Sequence, residues 1–445
     1  MADIKKYFSG IFVISIPLII GNLAHMLLGA TDVLVASRHG TDTLASVSIA
    51  NAILMSLFIV GIGLMAGITP VISNFLGEGR PSKKYLFSTI NYAMILAFIF
   101  SAIGLGIIPF LDKFGFEEKL LPVLKQYMFI VSLSNFGGYL NFALKEFLQA
   151  YEILIFPNIV LVLSIVLNLV LNIIFVFGFW VFPPMGAVGL AVATLFVRTL
   201  MGLILLWYCF KLIDFNVKFD ISYIKQLIKV SAPIACAMLF EFLSFNLITV
   251  LTGRISGLYA AAQSILITIT SLTYMIPLAV SNAIAIKVGF ANGAKNYLDI
   301  KNYSLAGCSI SFVFMFCCAL LLFAFPKFII GIFTTDAKLL DICVSIIVLA
   351  SLYQVLDGLQ VSFSGVLKGL KKTIFVTTAI ILGYWVIGLP VGALLAYKFD
   401  KGLFGFWVGI ALAISTMCLV MGVVILFRFK VLKKLYTQNF IESVE

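Results

Sequence analysis

The chain is poor in charge and has almost no histidine. Of its 445 residues, only 11% are charged and two are histidines, whereas 62% are hydrophobic. A soluble domain of this size has too little interior to hide so much apolar surface. The composition therefore predicts a polytopic membrane protein whose partner is the lipid bilayer.

Several motifs with defined chemistry are also missing. The seven cysteines all lie in or at the ends of apolar segments, with no CxxC pair and no histidine cluster, which argues against a disulfide framework. No nucleophile elbow, phosphate-binding loop or glycine-rich nucleotide turn occurs. We therefore predict no enzyme, no cofactor and no ATP-driven transport by this chain alone.

The chain instead contains twelve long apolar segments. They are continuously apolar rather than alternating, which predicts helices, and a membrane-spanning helix needs about 20 such residues. We place the spans at 9–37, 43–76, 85–110, 123–149, 157–180, 185–209, 231–253, 258–289, 303–325, 341–367, 374–398 and 403–427. The predicted fold class is an all-α membrane protein of twelve transmembrane helices.

The distribution of positive charge predicts an orientation. Of the 30 Lys and Arg residues, 20 fall on the side that holds the N-terminus, 9 on the opposite side, and Arg198 lies within a span. This asymmetry follows the positive-inside rule and predicts that both termini are cytoplasmic. The net charge of +11 therefore indicates a membrane partner rather than nucleic acid.

The two halves of the chain resemble each other. Pro17 corresponds to Pro233, LASVSIANAI at 44–53 to AAAQSILITI at 260–269, and FLGEGR at 75–80 to FANGAK at 290–295. The near-constant offset predicts two pseudo-symmetric six-helix lobes related as a parallel repeat, an architecture common among secondary transporters. We predict an N-terminal lobe at 1–210, a cytoplasmic loop at 211–230, a C-terminal lobe at 231–428 and a cytoplasmic tail at 429–445.

Two carboxylates lie inside spans of the second half. Asp357 shares one helix face with Tyr353 and Gln360, and Glu241 lies near the middle of its own apolar run. An ionised side chain at that depth costs at least about 2.5–3.5 kcal/mol, so such a residue is usually functional. If the two faces meet, the acids hold a proton or a cation such as Na⁺; the alternative is two unrelated structural acids.

The first half carries a second polar set. Asp32 lies in the first span, Asn168 and Asn172 are four residues apart in the fifth, and Thr194 lies in the sixth. Together they offer several oxygens to a cation or a proton relay. Two alternatives stay open: the asparagines hold helices together, or Asp32 pairs structurally with Arg198.

His25, in the first span, has packing as its favoured role and a proton relay as the alternative. The chain is also rich in aromatic residues, which make up 14% of it. Aromatic rings in a cavity hold flat organic cations by stacking and cation–π contact.

The sequence resembles the multidrug and toxic compound extrusion (MATE) transporters over essentially its whole length, and their NorM-like branch in particular. The similar segments are TDVLVAS, LASVSIAN, VLNLVLNIIFVFG, GAVGLAVAT, FEFLSFN, AAAQSILITITSLTYMIPLAVSNAIAIKVG, YQVLDGLQVSFSGVLKGLKKT and YWVIGLPVG. The combination of Asp32, Glu241 and Asp357 is similar to the NorM-like pattern.

The resemblance implies two six-helix lobes around a central cleft, and export of small organic cations such as drugs and dyes in exchange for Na⁺ or H⁺. It implies a cation site at Glu241, Asp357 and Tyr353, and a second at Asp32, Asn168, Asn172 and Thr194. It also implies that Gln263 helps to line the cleft, and Gln360 is a further candidate. We expect a monomer in the bacterial inner membrane, with the coupling ion and its lobe left open.

Three alternatives to an antiporter remain. A flippase for a lipid-linked precursor, from the same superfamily, is expected to have a basic cavity and often extra spans. An intramembrane enzyme needs a catalytic His, Ser or Cys constellation, and only His25 is available within the spans. A channel would pass ion current without saturable exchange.

Overall fold

The computed structural model describes residues 2–179, 181–212 and 218–442, and the regular elements in these ranges are all helical. Three predicted segments therefore lie partly outside the described residues. They are the span at 157–180 through its last position, the loop at 211–230 through 213–217 and the tail at 429–445 through its last three positions. The helices are α1 Ala2–His39, α2 Thr41–Met65, α3 Ile68–Gly77, α4 Leu86–Ile107, α5 Leu121–Ala150, α6 Ile155–Phe177, α7 Ala187–Leu212, α8 Ile221–Ile255, α9 Gly257–Gly293, α10 Tyr297–Ala324, α11 Pro326–Gly331, α12 Ala337–Gly369, α13 Thr373–Ile380, α14 Leu389–Ala393 and α15 Gly402–Glu442.

The predicted spans are present as long helices. Within the described residues, eleven helical segments are long and apolar enough to cross a membrane. The remaining prediction, 123–149, corresponds to α5, a helix of 30 residues whose polar side chains include the buried Ser132, Ser134, Asn135 and Glu146. Large apolar side chains such as Phe98 and Leu419 are at least two-thirds exposed, as expected where lipid is the solvent. The predicted all-helical class is confirmed.

Two spans differ from the continuous α-helices predicted. The second is split, since α2 ends at Met65 and α3 starts at Ile68, and Pro70 lies in the first turn of α3, where proline is tolerated. The eleventh contains two π-helical segments, Ile381–Gly388 and Leu394–Lys398, on either side of α14. π-turns widen a helix locally and are frequent at functional sites.

The described residues form two compact units, each with its own packing. The N unit consists of residues 20–72 and 81–235, and the C unit of residues 1–19, 73–80 and 236–445. The chain passes between the units four times: within α1, within α3, between residues 80 and 81, and within α8. The lobe boundaries given by the sequence repeat stay a prediction.

In the N unit, α5 is the central helix and packs against α2, α4 and α7. Small residues allow this close packing: a Cβ atom at Gly137 would lie 2.5 Å from the backbone of Thr199 on α7. The first turns of α8 belong to this unit as well, where the buried Tyr223 stacks on Tyr85 and shares a hydrogen bond of 2.9 Å with Thr89.

In the C unit, α12 is the central helix and packs against α9, α10 and α15. A Cβ atom at Gly358 would lie 2.6 Å from the side chain of Met315 on α10, and one at Gly365 would overlap the carbonyl oxygen of Ser281 on α9. Thus α5 and α12, the fourth and tenth predicted spans, hold the same place in their units. This agreement supports the internal repeat seen in the sequence.

The end of α9 meets α3 at a particularly close contact within the C unit. The side-chain amide of Asn74 donates to the carbonyl of Gly369 (2.9 Å) and accepts from Asn292 (2.6 Å). A Cβ atom at Gly293 would overlap the carbonyl oxygen of Asn74. The two backbones can approach this closely only because position 293 has no side chain.

We expect Gly293→Ala to destabilise the protein by about 1–3 kcal/mol, because the new methyl group meets rigid backbone. Thermal unfolding of the detergent-solubilised protein measures the effect. Gly106→Ala is the matched control, since a Cβ atom there has no neighbour within 4 Å. Equal unfolding midpoints for both variants would contradict the close contact described here.

Candidate functional site

The polar residues predicted in the first half meet inside the N unit. Asn172 on α6 donates its side-chain amide to Oδ1 of Asp32 on α1, at 2.7 Å, and to Oδ1 of Asn168, at 3.0 Å. Thr31 donates its hydroxyl to the same Asn168 oxygen, also at 3.0 Å. The two asparagines lie on one face of α6, as their four-residue spacing predicts, and both are buried.

This cluster retains a side-chain oxygen that has no protein donor. The side-chain oxygen of Asn172 is buried and makes no hydrogen bond with any of the described residues, and the Thr194 hydroxyl is buried beside the Asp32 carboxylate. Both lie beside Asp32, whose carboxylate interacts with Asn168, Asn172 and Thr194. Buried polar atoms are normally satisfied, so the unpartnered oxygen of Asn172 is the unusual feature of this cluster.

Arg198 lies one turn after Thr194 on α7 and does not form the close pair with Asp32 that the sequence allowed. Its Nη1 donates to the hydroxyl of Ser134 at 3.1 Å, and its guanidinium carbon lies 4.7 Å from the centre of the Phe58 ring. Among the described residues, no carboxylate lies within 4 Å of the guanidinium. Asp32 and Arg198 therefore interact through space rather than through a salt bridge.

The acids predicted in the second half meet inside the C unit. Glu241 comes from α8, and Asp357 and Tyr353 come from α12. Glu241 and Asp357 lie close enough to repel each other electrostatically. The turn that holds Glu241 is fixed to the π-helical segment 381–388, because Trp385 Nε1 donates to the carbonyl of Phe240 at 3.0 Å.

Neither acid of the C unit is satisfied by a protein donor. Across the described ranges, no hydrogen bond or ion pair reaches the carboxylate of Glu241 or of Asp357. Both side chains are half-buried. Lys368 on α12 influences Glu241 electrostatically. The C unit therefore presents two carboxylates that act on each other electrostatically and have unused acceptor capacity, whereas Asp32 of the N unit already accepts a short hydrogen bond.

Two tyrosines that the sequence analysis did not single out belong to this acidic site. Tyr274 on α9 and Tyr384 in the π-helical segment both lie within electrostatic reach of Glu241 and Asp357. The ring of Tyr384 also packs against Phe245, with centroids 5.5 Å apart. Their segments, SLTYMIP and YWVIGLPVG, are conspicuous in the sequence, but a phenol in an apolar run does not reveal which acid it will meet.

Three further residues considered in the sequence analysis, Gln263, Gln360 and His25, differ in their surroundings. Gln263 is fully buried, and its side-chain oxygen accepts a hydrogen bond of 2.7 Å from Trp407 Nε1. The Trp407 ring in turn lies against Tyr353, at 6.1 Å between centroids, so Gln263 supports the acidic site indirectly. Gln360 is buried on α12. The side chain of His25 on α1 is solvent-accessible, and Lys145 and Arg198 act on it electrostatically.

The side chains of the two clusters provide few of the ligands that a metal ion needs. Among the described residues, no group of three or more His, Cys, Asp or Glu side chains is placed to hold a metal ion. A pair of carboxylates with phenol oxygens is a hard, oxygen-only environment, which suits alkali cations and protons better than transition metals.

The sequence profile of the MatE family matches residues 17–174 and 233–394. These two stretches contain all the site residues discussed above except Thr194, Arg198 and Trp407. The two matched stretches also agree with the two-fold internal repeat of the sequence.

Curated relatives match along nearly the whole chain. A probable multidrug resistance protein NorM from Mesorhizobium japonicum is 30% identical over 419 residues, covering 90% of each chain. The protein of the same name from Brucella suis is 30% identical over 430 residues, covering 92% of this chain and 90% of the relative. That from Bacillus subtilis is 26% identical over 437 residues, with 96% of each chain covered.

Solved structures share the fold. An outward-facing multidrug resistance MATE family transporter of the MOP superfamily has a TM-score of 0.88 at 19% identity, over 96% of this chain and 97% of that one. The eukaryotic MATE transporter AtDTX14 has a TM-score of 0.85 at 20% identity, over 98% and 99%.

The family profile covers most of the chain, and relatives at 30% identity extend over nine-tenths of it. Together with the helical membrane fold, these matches show that the chain belongs to the MatE family and is a multi-pass membrane transporter rather than an enzyme.

Proposed function

We propose that this transporter is a secondary active multidrug efflux antiporter, which exports organic cations in exchange for Na⁺ or H⁺. The observation that carries the proposal is the pair formed by Glu241 and Asp357. Two neighbouring carboxylates without a protein donor are costly in a low dielectric unless a cation or a proton neutralises them. The name multidrug resistance protein, borne by the bacterial relatives, supports drugs and dyes as cargo.

The same pair supplies a mechanism for exchange. Two bound cations, organic and coupling, repel each other at one acidic site, so each lowers the affinity for the other. Binding of the coupling ion then favours the state that releases cargo, to the extent that its affinity differs between the two states. Tyr274, Tyr353 and Tyr384 add phenol oxygens and aromatic faces, which suit Na⁺ coordination and flat organic cations respectively.

The cluster at Asp32, Asn168, Asn172 and Thr194 is a second candidate for the coupling ion. Its unpartnered Asn172 oxygen, together with the Asp32 carboxylate and the Thr194 hydroxyl, offers oxygen ligands to a small cation or a proton-carrying water. Since Asp32 is already held by Asn172, we favour Glu241 and Asp357 as the primary coupling site. Gln360 remains a candidate for the cleft lining.

The membrane placement follows from the charge asymmetry of the sequence. We propose that the lobes are residues 1–210 and 231–428, that both termini are cytoplasmic, and that the protein acts as a monomer in the bacterial inner membrane. The excess of Lys and Arg on one side supports this orientation.

The flippase is less well supported than the antiporter. Recognition of an anionic lipid-linked precursor requires a basic cavity, whereas the C-unit site is acidic. In the N unit, Arg198 is accompanied by Asp32. The first prediction below also tests this alternative.

The first prediction concerns the three acids, Glu241, Asp357 and Asp32. In proteoliposomes, we expect Glu241→Gln and Asp357→Asn each to lower gradient-driven efflux of a fluorescent organic cation at least about tenfold, because a bond to a charged partner is worth about 1.5–3 kcal/mol. Asp32→Asn should reduce efflux less. Na⁺ and pH gradients are imposed separately to identify the coupling ion.

Asp341→Asn is the matched control, since Asp341 is an exposed acid on the same helix as Asp357. It should leave efflux unchanged. Full activity in all three acid variants would exclude the carboxylate mechanism. If neither gradient moves any organic cation in the wild type, the flippase becomes the better hypothesis.

The second prediction tests the Asp32–Asn172 hydrogen bond. Asn172→Ala removes the donor at 2.7 Å and should cost about 1–3 kcal/mol of stability, because a buried acceptor is left without its partner. In an Asp32→Ala background the same change should cost clearly less. Denaturant unfolding in detergent measures all four proteins of this cycle.

Asn246→Ala serves as the comparison variant, since Asn246 is exposed and bonds only to its own helix through the carbonyl of Phe242. It should change stability little in either background. If Asn172→Ala costs the same with and without Asp32, the two side chains are not coupled and the proposed cluster is wrong.

A further inference from the structure

Gln354 on α12 has a side-chain oxygen that the protein leaves without a partner. The residue is only 2% exposed, and within the described residues its Oε1 is buried and accepts no hydrogen bond. Buried polar atoms are normally satisfied, because a polar group without a partner is costly in an apolar interior. The free amide oxygen therefore points to a ligand that the protein itself does not supply.

The orientation of this amide is fixed by Thr273 on α9. The Thr273 hydroxyl donates its own hydrogen to the carbonyl of Thr270, at 2.9 Å, so its oxygen can only accept a further hydrogen bond. Nε2 of Gln354 donates to that oxygen. Turning the amide over would place two acceptors against each other, so the end of Gln354 without a partner is the oxygen and not the nitrogen.

A second oxygen at this place on α9 lacks its normal donor. Pro277 is buried within this helix and has no N–H, so the backbone carbonyl of Thr273, four residues earlier, is without the donor that an α-helix supplies. Backbone carbonyls at interrupted helices coordinate Na⁺ in secondary transporters. Thr273 thus anchors the amide of Gln354 and also carries a backbone oxygen that can bind a cation.

Both oxygens lie beside the acidic pair of the C unit. Asp357 follows Gln354 by three residues on α12, which places the two side chains on the same side of the helix. Tyr274 directly follows Thr273 on α9 and lies within electrostatic reach of Glu241 and Asp357. The contact between α9 and α12 therefore adds two neutral oxygens to the carboxylates and phenols of this site.

We propose that Oε1 of Gln354 and the backbone oxygen of Thr273 are ligands for Na⁺ beside Asp357, and that they make the acidic site select Na⁺ over H⁺. A proton needs a single carboxylate oxygen, whereas hard metal cations take several oxygen ligands. Amide and peptide oxygens are not among the groups that titrate in proteins, so they add affinity for Na⁺ without adding a site for a proton. The inference rests on the proposed function, since it names the coupling ion of the same site.

Pro277 gives the proposal a consequence that a purely structural role does not share. Pro277→Ala supplies an N–H that can bond to the carbonyl of Thr273, so the helix becomes more regular while the site loses a ligand. We expect this variant to unfold at the temperature of the wild type or above it, and yet to bind Na⁺ less tightly. A proline that only shapes the helix would change the affinities for Na⁺ and for an organic cation together.

The test compares the Kd of radioactive sodium with the Kd of tetraphenylphosphonium, for the purified full-length protein at one fixed pH. Tetraphenylphosphonium is a bulky cation whose charge is attracted by the acids but whose phenyl groups prevent coordination by oxygen ligands. The readout is the ratio of Na⁺ affinity to tetraphenylphosphonium affinity. Gln354→Leu and Pro277→Ala should each lower this ratio about tenfold, the effect of losing one partner of a charged group.

Two further sets of variants act as controls. Thr273→Val removes the hydroxyl that holds the amide and should lower the ratio about threefold, whereas Thr273→Ser returns the hydroxyl and should restore the ratio. Gln126→Leu is the matched control for Gln354→Leu, because Gln126 is an exposed glutamine on α5. It should keep the wild-type ratio.

Three results would overturn the proposal. An unchanged ratio in Gln354→Leu would mean that the amide oxygen holds only a water molecule. An equal loss of affinity for both cations would mean that Gln354 has a structural role. A wild-type protein that binds no Na⁺ would remove the ion itself.

The failure of the proposed function has a different signature. Efflux of tetraphenylphosphonium from proteoliposomes that is driven by a pH gradient, in a protein that binds no Na⁺, would overturn the role of Gln354 and leave the antiporter in place. If no ion gradient drives efflux while Na⁺ binding still depends on Gln354, the antiporter fails and the Na⁺ site stands.

Discussion

The cost of holding a negative charge in a low dielectric is the constraint on which this structure depends. A chain with so few charges retains carboxylates within its spanning helices only where something neutralises them. In the N unit, Asn172 provides part of that stabilisation at 2.7 Å. In the C unit, no described donor reaches Glu241 or Asp357, and the proposed function assigns their neutralisation to the coupling ion or the organic cation. In the proposed mechanism, exchange follows from this deficit, because one site that needs a cation can release one cation as it binds another.

The fold places these acids by repeating one packing scheme. The fourth and tenth predicted spans are the central helices of their units, and small residues such as Gly137 and Gly365 let neighbouring helices approach them. Each central helix carries polar groups: Ser134, which accepts a hydrogen bond from Arg198, on α5, and Tyr353 and Asp357 on α12. The two units therefore share a packing scheme but carry different side chains, with Arg198 near Asp32 in one unit and two carboxylates in the other.

Much of this was readable from the sequence, because burial in lipid restricts the possible patterns so strongly. Continuous apolar runs identify helices, and the carboxylate at position 357 with Tyr353 one turn before it marks a face. The features that the sequence did not predict depend on contacts between residues that are distant in the chain. The π-helical turns that carry Tyr384 have no local signature, since their apolar residues also fit an α-helix. Arg198 and Asp32 were a reasonable pair by spacing, but Ser134 and Phe58, distant in sequence, hold the guanidinium instead.

The most direct test of the account is whether organic cation and coupling ion compete at Glu241 and Asp357. The measurement is the Kd of an organic cation that lacks titratable groups, determined across a series of Na⁺ concentrations at fixed pH and across a pH series without Na⁺. The account predicts that the Kd rises in proportion to one of the two ions once that ion saturates its site, and that this dependence disappears in Glu241→Gln/Asp357→Asn. A Kd that is independent of both ions in the wild type would contradict the account.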